Sequence, residues 1–302
     1  MSNCFFEGKF VPLADAKISI MTHAFLYGTS VFEGIRAYWN PQTKKSYIFR
    51  PLEHFDRLKD SAKLLRIEIT RTSQEMVELT KELLKQNKPT EDVYIRPIAY
   101  KAGLRVGPAL LNNPDEFCMF MVPMGDYIDT SKGIAVQVSS WRRVSDNAIP
   151  PRAKVAGSYV NTALAKTDAL LGNFADSIVL DEEGHVTEGS AMNIFMVRKG
   201  KLITSRVSDN ILEGITRATI MEIAKQELGL ETEERPIDRT ELYIADELFF
   251  CGTGAQISPI VSVDYHQLGD GHIGEVSRKL KDLYFDIVRN KNPKYTKWCI
   301  EV

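Results

Sequence analysis

Apolar residues recur at helical spacing over 51–66, where Leu52, Phe55, Leu58, Ala62 and Leu65 share one face. Pro51 stands where a first helical turn tolerates proline, directly after a strand-like run at 46–50. The same reading predicts a helix over 73–87 and strands over 92–100 and 117–123. A polar, glycine-bearing stretch at 125–133 is the natural interdomain linker. Beyond it, alternation over 134–140 predicts a strand, 158–171 a helix, and 176–180 and 192–198 two further strands. Ile220, Ile223, Ala224 and Leu228 mark a helix opening just after Gly214, and another fills 275–289. The run 246–251 reads as a buried strand that ends in Gly252-Thr253-Gly254. Without internal repeats, the mixture predicts an α+β chain of two lobes, 1–124 and 134–302, joined by the linker.

Composition narrows the function classes. With 302 residues, the chain can build one large core or two moderate ones and needs no disulfide framework. Thirty-eight basic against 40 acidic side chains leave a net charge of -2, so no global field favours nucleic acid. The four cysteines include no C-x-x-C pair, which argues against a zinc cluster or redox couple. Five scattered histidines give a metal site little to build on, and no metal is expected; His23 and His54 read as structural or surface groups. Glu7, Lys9 and Asp15 interrupt any signal-peptide core, and no apolar run reaches the roughly 18 residues of a spanning helix. A cytoplasmic protein is expected. Neither G-x-G-x-x-G nor G-x-x-x-x-G-K-[ST] occurs, so the common nucleotide cradles are unsupported.

Other residues carry candidate chemistry. Gly214-Ile215-Thr216 opens a helix, where free N–H groups and the dipole favour an anion. Cys251-Gly252-Thr253-Gly254 follows a strand, and its small residues let backbone approach a ligand closely. With Arg50, these turns can hold a phosphate; they can equally be ordinary caps and turns. Lys154 lies among small and apolar residues in Pro150-Pro151-Arg152-Ala153-Lys154-Val155-Ala156-Gly157. Desolvation there lowers an amine from its usual pKa of about 10.4 and frees it to attack a carbonyl. The alternative is a solvated surface lysine. Glu188 stands between a turn and a strand, fit to face a cationic ring nitrogen or simply to be a turn carboxylate. Period-2 alternation puts Tyr94 and Arg96 on one strand face, and Phe32 with Gly34 on one face of a strand through Val31–Arg36.

Together these segments resemble the class IV, or fold type IV, pyridoxal-phosphate aminotransferases. The signature runs Glu188-Gly189-Ser190-Ala191-Met192-Asn193-Ile194-Phe195, then Leu202-Ile203-Thr204, then Leu212-Glu213-Gly214-Ile215-Thr216-Arg217. In the first half, the run from His23 to Tyr38, with Tyr47-Ile48-Phe49-Arg50 and Tyr94-Ile95-Arg96-Pro97, is similar to the branched-chain amino acid aminotransferases. The likeness covers nearly the whole chain. It implies a two-domain, D-amino acid aminotransferase-like fold, with a smaller N-terminal lobe and a larger C-terminal lobe carrying the lysine.

The resemblance also implies roles. Lys154 forms the Schiff base with pyridoxal 5'-phosphate, Tyr159 bonds the cofactor's phenolic oxygen, and Glu188 pairs with the pyridine nitrogen. Arg50, Ile215, Thr216 and Thr253 hold the phosphate, while Leu212 packs on the ring. Tyr94 and the Thr253-Gly254 turn receive the substrate α-carboxylate, and Arg96 binds the side-chain carboxylate of glutamate. Phe32, Gly34, Tyr27, Tyr127 and Val106 line the apolar pocket, with Tyr27 and Val106 supplied by a neighbouring subunit, so a homodimer is the minimum unit. The implied activity is ping-pong transamination between L-leucine, L-isoleucine or L-valine and 2-oxoglutarate. Rival readings are a D-amino acid aminotransferase, an (R)-amine transaminase, an aminodeoxychorismate lyase, or a non-catalytic phosphate-ligand-binding protein. Met192, Met124 and Arg105 depart from the bacterial branched-chain pattern, and Arg105 stands where it could recruit a carboxylate near the pocket mouth.

Overall fold

The computed structural model describes residues 2–125 and 131–302; Tyr127 and the linker residues 126–130 lie outside the described residues. The chain divides into two compact units, Met1–Gly125 with Ala153–Ser158 and Asp286–Val302, and Asp126–Arg152 with Tyr159–Phe285. Sequence order placed both Ala153–Ser158 and the C-terminal tail in the second lobe. The structure moves them to the first, because the lysine segment bonds to residues around 28–32 and 61, and the last strand pairs with residues 47–49. The two units are therefore of nearly equal length.

The first unit is built on an antiparallel sheet of β1 (Asn3–Phe6), β2 (Lys9–Pro12), β3 (Ser30–Phe32), β4 (Ile35–Asn40), β5 (Lys45–Phe49), β6 (Val93–Lys101), β7 (Asp115–Pro123) and the C-terminal strand Cys299–Glu301. Helices α1 (His23–Tyr27), α2 (Pro51–Leu64) and α3 (Ser73–Asn87) belong to the same unit. The apolar stripe of α2 buries Phe55, Leu58 and Ala62, and that of α3 buries Met76, Val77, Leu83 and Leu84. Thr72 and Glu75 form a reciprocal capping box at the start of α3, stabilising it by about 1 kcal/mol.

The single strand expected through Val31–Arg36 is interrupted. Strands β3 and β4 both pair with β6, Phe32 opposite Ile98 and Ile35 opposite Ile95, which leaves Glu33 and Gly34 facing Pro97 and Arg96. Glu33 donates its N–H to the Pro97 carbonyl at 3.0 Å, but Pro97 has no N–H to return, so the ladder opens at that point.

In the second unit a mixed sheet comprises β8 (Ile134–Arg142), β9 (Asp176–Leu180), β10 (Val186–Gly189), β11 (Asn193–Arg198), β12 (Lys201–Thr204), β13 (Thr232–Glu234), β14 (Glu247–Gly252), β15 (Gln256–Val263) and β16 (His266–Gln267). Its helices include α4 (Tyr159–Leu171), packed on β8 and β9, and α5 (Ile215–Leu228), packed on β13 and β14. The core gathers Val136, Ile178, Met192, Ile194, Phe250 and Ile260, which gives Met192 a packing role. Among the described residues no helix is long and apolar enough to cross a membrane.

Candidate active site

The candidate residues fall into two groups, one in each unit. In the first, Lys154 is fixed through its backbone. Its N–H donates to Ser61 Oγ at 3.1 Å and its carbonyl accepts from Phe32 N–H at 3.1 Å, while Val155 bridges Val31. Gly28 ends α1 at φ +67, and a β-carbon there would lie 2.8 Å from Gly157 Cα. Two glycines thus let the lysine segment approach α1 at backbone contact distance. Ala153 and Val155 are buried on either side of Lys154, which is itself half-buried. The Lys154 Nζ stands 5.2 Å from the centre of the Phe32 ring.

Tyr94 and Arg96 share one face of β6, as the alternation predicted. Arg96 donates from Nε and Nη2 to the Tyr94 hydroxyl at 3.3 and 2.8 Å, and its guanidinium lies 4.3 Å over the Phe32 ring. Gly34 is the close neighbour of Tyr94, since a β-carbon there would fall 2.4 Å from the phenolic oxygen. Phe32, Gly34, Tyr94, Arg96 and Lys154 are therefore one constellation: an apolar wall beside a fixed cation and an amine. Arg50 caps α2 in the left-handed region at φ +46, its guanidinium paired with Glu53 at 2.8 Å and stacked 4.8 Å over Trp298. A non-glycine residue held there is strained, and strain of this kind clusters at functional sites.

Tyr27 and Val106 sit together elsewhere. Gly107 N–H donates to the Tyr27 hydroxyl at 2.7 Å, and buried His23 bridges Thr29 Oγ1 and the Gly107 carbonyl at 2.7 and 3.0 Å. His23 is thus structural. Val106 is 78% exposed, and Ile20, Phe25 and Leu104 are exposed as well. Arg105 Nη2 donates to the Ala109 and Leu111 carbonyls at 2.6 and 2.7 Å, closing its own loop.

In the second unit, Glu188 on β10 is 3% exposed. Its Oε1 meets Arg143 Nη2 at 2.7 Å, and its Oε2 accepts from Asn193 Nδ2 at 3.1 Å and Leu212 N–H at 3.3 Å. A buried carboxylate with an ion pair and two N–H donors is fixed in direction as well as charge. Arg143 and Asn193 have no assigned part in the sequence reading. The pairing of Arg143 with a carboxylate far along the chain leaves no local pattern, whereas Asn193 lies inside the family signature. Gly214 caps α5 without a side-chain bond, and a β-carbon there would overlap Asn193 Oδ1 at 2.0 Å. The first turn of α5, with Ile215 and buried Thr216, therefore starts without a capping side chain, the kind of helix start that suits an anion. Tyr159 opens α4, and Thr253-Gly254 forms the turn between β14 and β15, where a β-carbon on Gly254 would meet open space.

The sequence matches the family described as "Amino-transferase class IV" over residues 30–263. It is 49% identical over 302 residues to the "Probable branched-chain-amino-acid aminotransferase" of Aquifex aeolicus (strain VF5), covering 100% of this chain and 97% of that one. The chain belongs to the class IV aminotransferases. The solved branched-chain aminotransferase of Thermoproteus uzoniensis with norvaline superposes with TM-score 0.95 at 37% identity, covering 99% of both chains. A T.th. branched-chain enzyme complexed with N-(5'-phosphopyridoxyl)-L-glutamate gives TM-score 0.93 at 40% identity, covering 99% of this chain and 98% of that one. The fold is accordingly fold type IV, α+β with two lobes.

Class IV aminotransferases use pyridoxal phosphate, and the residues of this one fit it. The cofactor offers an aldehyde, a basic ring nitrogen and a phosphate. The chain offers an amine between buried apolar neighbours, a buried oriented carboxylate, and a helix start whose cap leaves its N–H groups without a side-chain acceptor.

Proposed function

We propose that this aminotransferase exchanges the amino group between L-leucine, L-isoleucine or L-valine and 2-oxoglutarate, with Lys154 carrying the pyridoxal phosphate. The observation that carries the reading is the Phe32–Gly34–Tyr94–Arg96 constellation beside the lysine amine. An apolar wall suits a branched aliphatic chain, and a guanidinium at its edge pairs with the glutamate carboxylate only when one is present. The relatives' names and the glutamate adduct of the T.th. enzyme support the same pair of substrates.

The bound cofactor supplies an aldehyde that takes up the amino group and a protonated ring that accepts the electron pair left at Cα. The Lys154 amine would hold the cofactor at rest and, in turnover, would take the proton from the substrate Cα. Glu188 would face the ring nitrogen and keep it protonated, its own charge secured by Arg143 and the two N–H donors. Tyr159 would donate to the phenolic oxygen and Leu212 would pack on the ring. Ile215 N–H, Thr216 and Thr253 would bind the phosphate in the second unit, and Arg50 is the phosphate ligand proposed in the first. Tyr94 and the Thr253-Gly254 turn would take the α-carboxylate.

A homodimer belongs to this proposal. Ile20, Phe25, Leu104 and Val106 expose apolar side chains on two segments bonded to each other, Thr22 bridging Leu104 and Gly107 N–H donating to Tyr27, a surface suited to burial against a second copy. All four cysteines are free thiols, in keeping with a reducing cytoplasm. A panel of L-leucine, D-alanine and (R)-1-phenylethylamine as amino donors to 2-oxoglutarate tests the assignment. Rapid turnover of L-leucine alone is expected; an inert L-leucine beside an active alternative donor would end it.

A further inference from the structure

The break between β3 and β4 holds a carboxylate that the transamination reading does not use. Glu33 is 0% exposed, between the two residues that form the proposed apolar wall. Its oxygens accept from Arg57 Nε and Nη2 at 2.6 and 2.8 Å, and from the Gly34 N–H at 3.2 Å; His54 Nδ1 lies 2.8 Å from Oε2. Burial alone would raise its pKa, but the charge of Arg57 and the bond from His54 outweigh burial and hold the carboxyl well below the ordinary range. Burial conversely pushes the His54 imidazole down, with the charges of Arg57 and Lys154 adding to the effect and the bond and charge of Glu33 opposing it.

The donors come from one side of one helix. His54, Arg57 and Ser61 are spaced i, i+3, i+7 along α2, and Ser61 is the residue that accepts the Lys154 N–H. A single helix face therefore grips the Phe32–Gly34 turn through Glu33 and the lysine segment through Ser61. An aliphatic side chain at position 33 would fill a buried turn with no desolvation cost, whereas a carboxylate needs every one of these donors to be tolerated. What the ionic cluster adds is direction. It fixes where the Phe32 ring stands relative to Lys154 and Arg96, and where the Gly34 Cα meets Tyr94.

We propose that Glu33, held by Arg57 and His54, is a positioning residue for side-chain specificity: it sets the apolar wall in register with the lysine and so determines how well a branched aliphatic chain is accepted. The proposal rests on the branched-chain reading above. It predicts a loss that depends on the substrate side chain, because L-alanine is too short to lean on the wall while L-leucine fills it.

The test compares wild-type, Glu33→Gln and Arg57→Lys holoenzymes. Steady-state kcat and KM are measured for L-leucine and L-alanine. The dissociation constant of unreactive 4-methylpentanoic acid, read from the visible cofactor band, gives a measure independent of turnover. For Glu33→Gln the leucine-to-alanine ratio of kcat/KM is expected to fall about tenfold or more, mostly through KM, with a parallel rise in the 4-methylpentanoic acid constant. Arg57→Lys keeps a cation but loses the two-pronged grip, and a fall of about threefold is expected. This second variant decides the matter if Glu33→Gln does not fold. Equal losses for both donors, or an unchanged ratio in a folded variant, would overturn the positioning role. A wild-type enzyme inert toward L-leucine would overturn the proposed function, and this inference with it.

Discussion

Replacing Arg143 by methionine asks how much of the second unit's stability depends on pairing one buried carboxylate. Arg143 contributes a 2.7 Å bond to Glu188 Oε1, and the two side chains are 11% and 4% exposed. Removing one partner of such a pair strands the other charge and costs about 3–5 kcal/mol. The lower end applies here, because Asn193 Nδ2 and Leu212 N–H still serve Oε2. A penalty of about 3 kcal/mol in a domain-sized unit lowers the melting temperature by roughly 6–12 °C. The assay is thermal melting of the apoprotein by circular dichroism at neutral pH, with Arg143→Met, Glu188→Gln and the double variant forming a cycle. Because the double variant removes both charges, it is expected to melt well above the sum of the single losses. A single variant within a degree of wild type, or strictly additive losses, would refute the claim that Arg143 secures the Glu188 charge.

Two further outcomes follow from the packing and the ion pairs. Gly34→Ala places a β-carbon 2.4 Å from the Tyr94 oxygen, which forces that ring and its Arg96 bonds to shift. An overpacking cost of about 1–3 kcal/mol is expected, with lower melting temperature and weaker L-leucine kinetics, and unchanged values for both would disprove the contact. Glu241 accepts from Arg235 on both oxygens and also pairs with Arg198, which holds its pKa down to about 2 against an ordinary 4.5. A carboxyl lowered on folding stabilises the protein above its unfolded pKa and loses that contribution as pH falls toward the folded value. Acid melting curves of Glu241→Gln should therefore start lower at neutral pH and decline less between pH 4.5 and 2 than wild type; parallel curves would contradict the pairing.

The elements read correctly from sequence are those with a strong local period. Helix α3 starts and stops where predicted because its apolar stripe is regular and its start carries Thr72 and Glu75. The first hairpin was missed: β1 and β2 are only four residues each, too short for alternation to register. Its local signal was the Glu7-Gly8 turn, where both residues take positive φ between two apolar runs. The interruption at Glu33–Gly34 depended on Pro97 lying opposite, which neither segment announces alone. The same limit applies at the site. Tyr94 and Arg96 are two residues apart, so period-2 geometry put them together. Arg143 with Glu188, and Glu33 with His54 and Arg57, are joined only by tertiary packing. The lysine segment was assigned by chain position to the second lobe, whereas its backbone bonds to Phe32, Ser61 and Gly28 assign it to the first.

The account depends most on Lys154, and hydride trapping addresses it directly. Borohydride reduction of the holoenzyme, followed by proteolysis and peptide mass spectrometry, should find the phosphopyridoxyl mass on the peptide containing Lys154 and lose it in Lys154→Ala. A modified lysine elsewhere in the chain, or an unmodified Lys154 in fully reconstituted protein, would contradict the account at its base.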